Sequence, residues 1–141
     1  DISADALATA EENAYENGVS DKIIFLRSDL FSSVPDDIKF DVIVSNPPYI
    51  RSGDMDKLQE EVKKEPKIAL DGGEDGLLFY RKIVKDSKWH IKSGGIISFE
   101  VGYDEADDVS QILLDGGYGN IEIVKDLQGI DRVVLGKWLD S

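Results

Sequence analysis

An α/β fold with a mainly parallel sheet is predicted by three observations. Amphipathic helical stretches alternate with short β-branched apolar runs along the 141 residues. One such run, Val42-Ile43-Val44, stops abruptly at Asn46-Pro47-Pro48-Tyr49. Two further runs, residues 121–124 and 132–135, are spaced as a hairpin that adds one antiparallel strand.

The elements follow in order. Ser3 is a helix cap, and the helix runs to about Asn17 with Leu7, Ala10 and Ala14 on one face. Gly18 supplies the stop. Residues 22–27, with Ile23-Ile24-Phe25-Leu26, read as a strand that Asp29 follows. Val34-Pro35-Asp36-Asp37 is a turn, and residues 40–44 form the central strand, with the length and β-branching of a buried one. Met55, Leu58 and Val62 stand at helical spacing in a short helix that Pro66 ends. Residues 50–75 otherwise form a charged, glycine-bearing loop, expected to be a mobile lid or substrate element. Asp75 caps a helix reaching about Trp89, with Leu78, Ile83 and Val84 buried. Gly94-Gly95 turns into a strand at residues 96–101. Asp104 opens the last helix, Ala106, Val109, Ile112 and Leu113 face inward, and Gly116-Gly117 ends it.

Composition narrows the function classes. One domain spanning residues 1–141 is long enough for a real core. Hydrophobic residues are 41% and charged residues 32% of the chain, as in a soluble globular protein. No run approaches a transmembrane length, and no signal-peptide pattern opens the chain. Cysteine is absent, which excludes disulfides and thiolate metal sites and fits a cytoplasmic location. A net charge of −13 opposes sequence-independent binding to phosphate backbones. No His/Asp/Glu cluster has ligand spacing, so no metal is expected. His90, the one histidine, reads as structural.

The stretch that carries chemistry is Asn46-Pro47-Pro48-Tyr49. Proline cannot donate to a ladder, so the strand ends there, and it pushes Asn46 into an extended conformation. The outcome is a stiff loop at the C-terminal end of a strand, where open α/β sheets bind ligands. The Asn46 side-chain oxygen and the Pro47 carbonyl can accept the two N–H groups of a planar NH2. The Tyr49 ring can pack on its flat face. Two acceptors on one nitrogen turn its lone pair toward an electrophile, which is catalysis by positioning. By itself the motif is also readable as a proline-stiffened turn.

Residues 45–50, Ser-Asn-Pro-Pro-Tyr-Ile, resemble the signature of S-adenosylmethionine-dependent amino-group methyltransferases. Further blocks resemble one group in particular. They are Asp1-Ile2-Ser3 with Ala6-Leu7, Ala10 and Asn13, then Ser28-Asp29-Leu30-Phe31, then Glu65-Pro66 with Ala69-Leu70. Gly72-Gly73, Asp75-Gly76-Leu77 and Tyr80-Arg81 follow, then Phe99-Glu100-Val101-Gly102 and Gly129-Ile130-Asp131-Arg132-Val133-Val134. Together these are similar to the HemK/PrmC family, which methylates the glutamine of the Gly-Gly-Gln motif in peptide chain release factors. The resemblance covers essentially the whole chain. The Glu-Pro and Gly-Gly-x-Asp-Gly blocks separate it from DNA adenine methyltransferases.

The resemblance implies a Rossmann-like class I methyltransferase sheet with a C-terminal antiparallel hairpin, and S-adenosylmethionine as cofactor. It makes Asn46, Pro47 and Tyr49 catalytic, and adds Pro48 to the substrate-binding set. It assigns Asp1 to the ribose hydroxyls of the cofactor, Asp29 to the adenine amino group, and Leu30 to the ring, with Asn46 at the border of both sites. Read without it, Asp1 is a polar residue before a cap and Asp29 an Asx-turn residue. Gly72-Gly73 with Gly76 reads as loop architecture on the substrate side. Glu100 is either a supporting carboxylate or a solvated strand end.

The implied partner is a release factor, with no membrane and with nucleic acid involved only through the ribosome-associated substrate. The implied sheet order is 3-2-1-4-5-7-6. Residues 22–27 would be strand three and residues 40–44 strand four, so the chain reads as a C-terminal portion lacking the first two strands. The glycine-rich loop that follows the family's first strand is also not found. Two missing strands leave about 14 Å between the survivors. Either that gap stands open, or the strands re-pair with each other or with a second copy. Both outcomes imply weak binding of S-adenosylmethionine and little activity in this chain alone. The competing readings are an adenine or cytosine methyltransferase on nucleic acid, and a non-catalytic binding module.

Overall fold

In the computed structural model, which describes residues 1–139, the chain folds as two compact units, residues 1–38 and a second beginning at Lys39. In the first unit, helix α1 spans Ala4–Glu16 and starts where the Ser3 hydroxyl accepts from Ala6 N–H at 3.2 Å. Gly18, at φ +65°, lets the chain reverse after it. Val34–Asp37 is the expected turn, closed by Ile38 N–H donating to the Pro35 carbonyl. The strand expected at 22–27 does not form. Ile24 is 94% exposed there. A strand needs a partner for its N–H and C=O groups, and none of the strands pairs with this segment.

The second unit is built on four strands in the order β1-β2-β4-β3. β1 is Phe40–Ser45, β2 is Ile91–Glu100, β3 is Tyr118–Lys125 and β4 is Asp131–Trp138. β1 and β2 are parallel, and the other two pairings are antiparallel. The sheet is therefore mixed, with one parallel pair, rather than mainly parallel. Its order equals 4-5-7-6 of the implied family sheet. The hairpin of β3 and β4 forms as expected, its turn held by Asp126, which accepts from Gln128 and Ile130 N–H.

Further expectations need correction. The residue 40–44 strand is an edge strand, not a central one, and Val42 and Val44 are 53% and 75% exposed. Hydrophobicity on both faces signals a strand covered on both sides. Here the face bearing Val42, Val44 and Ile96 stays exposed, and the buried side is that of Ile43, Ile97 and Phe99. The β1 edge has no strand beside it among the described residues, and because residues 22–27 form no strand the expected pair of survivors does not exist to be spaced. Gly94-Gly95 does not precede the strand. It lies inside β2, where the register slips between Phe40↔Ile91 and Val42↔Ile96 and Gly94 sits at φ +72°.

Two helices cover the buried face. α3 spans Leu78–Ser87 and α4 spans Ala106–Asp115, with α4 against β3, β4 and α3. Ile83 and Val84 are buried as expected, but Leu78 is 40% exposed because the helix starts there, later than expected. Asp75 is not its cap; its carboxylate accepts from Leu77 N–H and pairs with Arg81. Tyr80, Phe99, Ile97, Val101, Val109, Leu113 and Val134 are fully buried, with Tyr80 edge-on to Phe99 at 5.2 Å. His90 is buried, and its carbonyl receives Phe40 N–H.

Between β1 and α3 the chain forms a 3-10 turn at Ser52–Lys57, the four-residue helix α2 at Glu60–Lys63, and a 3-10 turn at Lys67–Ala69. The single helix expected through Met55, Leu58 and Val62 is broken at Leu58 and Gln59, which are extended. The segment is fastened at both ends. Ile50 bridges Asp71 in parallel, Ile50 N–H donates to Leu70, and Gly72 N–H returns to Ile50.

Candidate active site

The parallel pairing of β1 with β2 puts the ends of both strands at one sheet edge, with Ser45 opposite Phe99. From that edge emerge Asn46-Pro47-Pro48-Tyr49 and Val101-Gly102-Tyr103-Asp104-Glu105. The loop at 72–76 packs between them. A Cβ on Gly72 would stand 2.7 Å from Tyr49 Cα and 2.8 Å from the Pro48 carbonyl. A Cβ on Gly76 would stand 2.5 Å from the Tyr49 carbonyl. These glycines let three backbones meet, so the block is architecture under the motif.

Asn46 is exposed and Pro47 is buried. Among the described residues neither the Asn46 amide nor the Pro47 carbonyl is engaged in a hydrogen bond. Of the two, Asn46 is the exposed one. Tyr49 is fixed instead. Its hydroxyl donates to Glu100 Oε1 at 3.2 Å. Burial, and then the Glu100 carboxylate, push its phenol above the ordinary range, so it stays protonated at neutral pH. Glu100 is thus a supporting carboxylate. Its carbonyl also receives the Tyr80 hydroxyl at 2.8 Å. Tyr80 is fully buried, and burial likewise raises its phenol.

Sequence reasoning missed Glu105. Asp104 reads as the helix opening, and a glutamate beside a helix start carries no signal of its own in the sequence. Glu105 is 2% exposed, and its Oε2 accepts from Gly102 N–H at 3.0 Å. Burial lifts its pKa to about 7; Gly102 N–H and Arg51 oppose the rise, while Asp104 and Asp108 add to it. Asp104 itself pairs with Arg51 at 3.0 Å on the surface.

The remaining expected residues sit on the first unit. Asp1 Oδ1 accepts from Ser3 N–H at 2.8 Å, and the Asp1 carbonyl accepts from Ser28 N–H at 3.0 Å. This brings Asp1 to the turn bearing Asp29 and Leu30. The Ser28 hydroxyl shapes that turn, donating to the Leu30 carbonyl at 2.7 Å and accepting from Ser33 N–H. Leu30 takes φ +50°, a left-handed conformation costly for a leucine. The Asp29 carboxylate is exposed and accepts no hydrogen bond among the described residues. A free carboxylate beside an apolar side chain suits an amino group on an aromatic ring. Among the described residues no His/Cys/Asp/Glu group could hold a metal ion, and no helix is long and apolar enough to cross a membrane.

The chain is 47% identical over 137 residues to the release factor glutamine methyltransferase of Clostridium acetobutylicum, aligning 96% of this chain with 48% of that one. With the release factor glutamine methyltransferase of Clostridium botulinum it is 44% identical over 131 residues, aligning 92% and 46%. The chain therefore spans about half the length of the curated relatives it matches. A crystal structure of a methyltransferase from Pyrococcus furiosus superposes with a TM-score of 0.69 at 16% identity, over 99% of this chain and 61% of that one. At that identity the likeness is one of fold, and the fold is that of class I methyltransferases. The family model described as methyltransferase small domain matches residues 1–79, which include Asp29 and the whole Asn46–Tyr49 loop. With that match joined to the sheet order and the two relatives, the chain belongs to the methyltransferase small domain family.

Proposed function

We propose that this chain carries the acceptor side of a protein-glutamine N-methyltransferase, whose substrate is the Gly-Gly-Gln glutamine of a peptide chain release factor. The observation that carries the reading is the pair of unengaged acceptors, the Asn46 amide oxygen and the Pro47 carbonyl, beside a tyrosine clamped by Glu100. The names of the relatives support this substrate.

The two acceptors take the two N–H groups of the glutamine side chain. This draws the nitrogen lone pair out of conjugation and aims it, while the Tyr49 ring and Pro48 bound the amide plane. On the first unit, Asp29 would hold the adenine amino group of the cofactor, Leu30 its ring and Asp1 its ribose hydroxyls. S-adenosylmethionine, when bound, supplies the electrophilic methyl group. An amide nitrogen is a weak nucleophile, so orientation must provide most of the acceleration. No strong base faces it, and the proton leaves to water after transfer.

Asn46→Ala in the full-length protein is expected to lower methyl transfer to a release factor by about 10²–10³, the scale of one lost transition-state hydrogen bond. Cofactor affinity should stay within a few-fold. Transfer from labelled cofactor to release factor, with duplex DNA as the competing substrate, reads both the residue and the substrate class. Activity near wild type removes Asn46 from the mechanism, and transfer to DNA alone overturns the protein substrate.

A further inference from the structure

We propose that Glu105 is a positioning residue for the acceptor loop: its carboxyl braces the turn after β2 against Tyr49 and the 72–76 loop, and so sets the seat of Asn46 and Pro47. The inference rests on the methyltransferase reading above.

Glu105 occupies the N-cap position of α4 but makes no side-chain capping bond. Its carboxyl turns back instead. Oε2 accepts from Gly102 N–H at 3.0 Å, while Glu105 N–H donates to the Gly102 carbonyl at 3.2 Å, closing a ring. The brace then reaches both neighbouring loops. A Cβ on Gly76 would stand 2.5 Å from Glu105 Oε1 and equally 2.5 Å from the Tyr49 carbonyl. A Cβ on Gly102 would stand 2.9 Å from Glu105 Oε2 and 3.4 Å from Tyr49 Cδ2. The carboxyl and the residue that ends the acceptor motif thus both close on the same two bare glycines. A residue that merely starts a helix would bond N–H groups inside α4.

The groups facing this carboxyl are Asp104 and Asp108, which repel its charge, and Arg51, which attracts it but is already paired to Asp104. Tyr80 lies beside it, and Tyr49 adds Glu100 and Arg132 at the next remove. Burial holds the carboxyl at a pKa of about 7, so it changes charge in the physiological range. The ionised form is the stronger acceptor for Gly102 N–H, so the brace tightens as pH rises.

The test has two arms. In the 141-residue chain, the Gly102 amide and the Tyr49 ring resonances should shift together through neutral pH, and Glu105→Gln should abolish both shifts. The carboxamide keeps an acceptor and cannot titrate. Movement of Gly102 without Tyr49, or of neither, overturns the proposal. In the full-length enzyme, kcat should rise through neutral pH in wild type and flatten in Glu105→Gln, with KM for the cofactor within about twofold, since Glu105 is not among the residues proposed to hold it. Identical kcat profiles overturn the proposal. If wild type methylates no release factor, the proposed function fails, and the resonance arm alone decides the role of Glu105.

Discussion

Gly72→Ala tests the packing under the acceptor motif most directly. Gly72 is buried, with its N–H bonded to the Ile50 carbonyl at 2.8 Å and its own carbonyl to Leu78 N–H at 3.1 Å. Its φ is outside the left-handed region, so an added methyl meets only crowding. That methyl would lie 2.7 Å from Tyr49 Cα, 2.8 Å from the Pro48 carbonyl and 2.8 Å from the Gly76 carbonyl. Carbon contacts settle near 3.5–4.0 Å, so the loop must move by about 1 Å. All three neighbours are backbone and cannot rotate away. Overpacking of this kind costs about 1–3 kcal/mol. At about 4 °C per kcal/mol for a chain this size, the melting temperature should fall by about 4–12 °C. Gly18→Ala is the control. Gly18 sits at φ +65° with nothing within 4 Å of its Cβ position, so alanine costs about 1–2 kcal/mol of backbone strain without pushing on any loop. Both variants should lose stability in thermal circular dichroism. Only Gly72→Ala should move the amide resonances of residues 46–50, and in full-length enzyme only it should lower kcat, by about tenfold or more. A Gly72→Ala chain that melts with wild type and keeps those resonances refutes the reasoning.

Two more outcomes follow from the core and from Glu105. Ser87→Ala leaves the buried Tyr118 hydroxyl without its 2.6 Å partner and should cost about 1–3 kcal/mol in urea midpoint analysis. The double variant Ser87→Ala/Tyr118→Phe removes both polar ends and should recover part of that loss; strict additivity would refute the pairing. Glu105 binds its proton more tightly folded than unfolded, since its pKa rises from an ordinary 4.5 to about 7. Its contribution is therefore fully present below about pH 4.5 and is lost as pH climbs to about 7. A rise of this size corresponds to at most about 3 kcal/mol. Glu105→Gln should accordingly gain stability relative to wild type across that window, and a gap that narrows with rising pH would be the wrong sign.

Local chemistry made part of this protein legible in one dimension. Ser3 before an apolar face marks a helix start, and Gly18 its end, because capping and left-handed φ are properties of a few adjacent residues. The hairpin at the C-terminal end and the stop at Asn46-Pro47-Pro48-Tyr49 were readable for the same reason: proline and turn residues act on their immediate neighbours. Composition and spacing could not say which strands meet. Residues 22–27 have every local mark of a strand and form none, because a strand exists only with a partner. Val42 and Val44 look like core and stay exposed, since burial depends on what covers a face. Asn46 announced itself by its proline context. Glu105 did not, because its significance lies in meeting Gly102, Gly76 and Tyr49, whose encounter only the parallel pairing of β1 with β2 brings about.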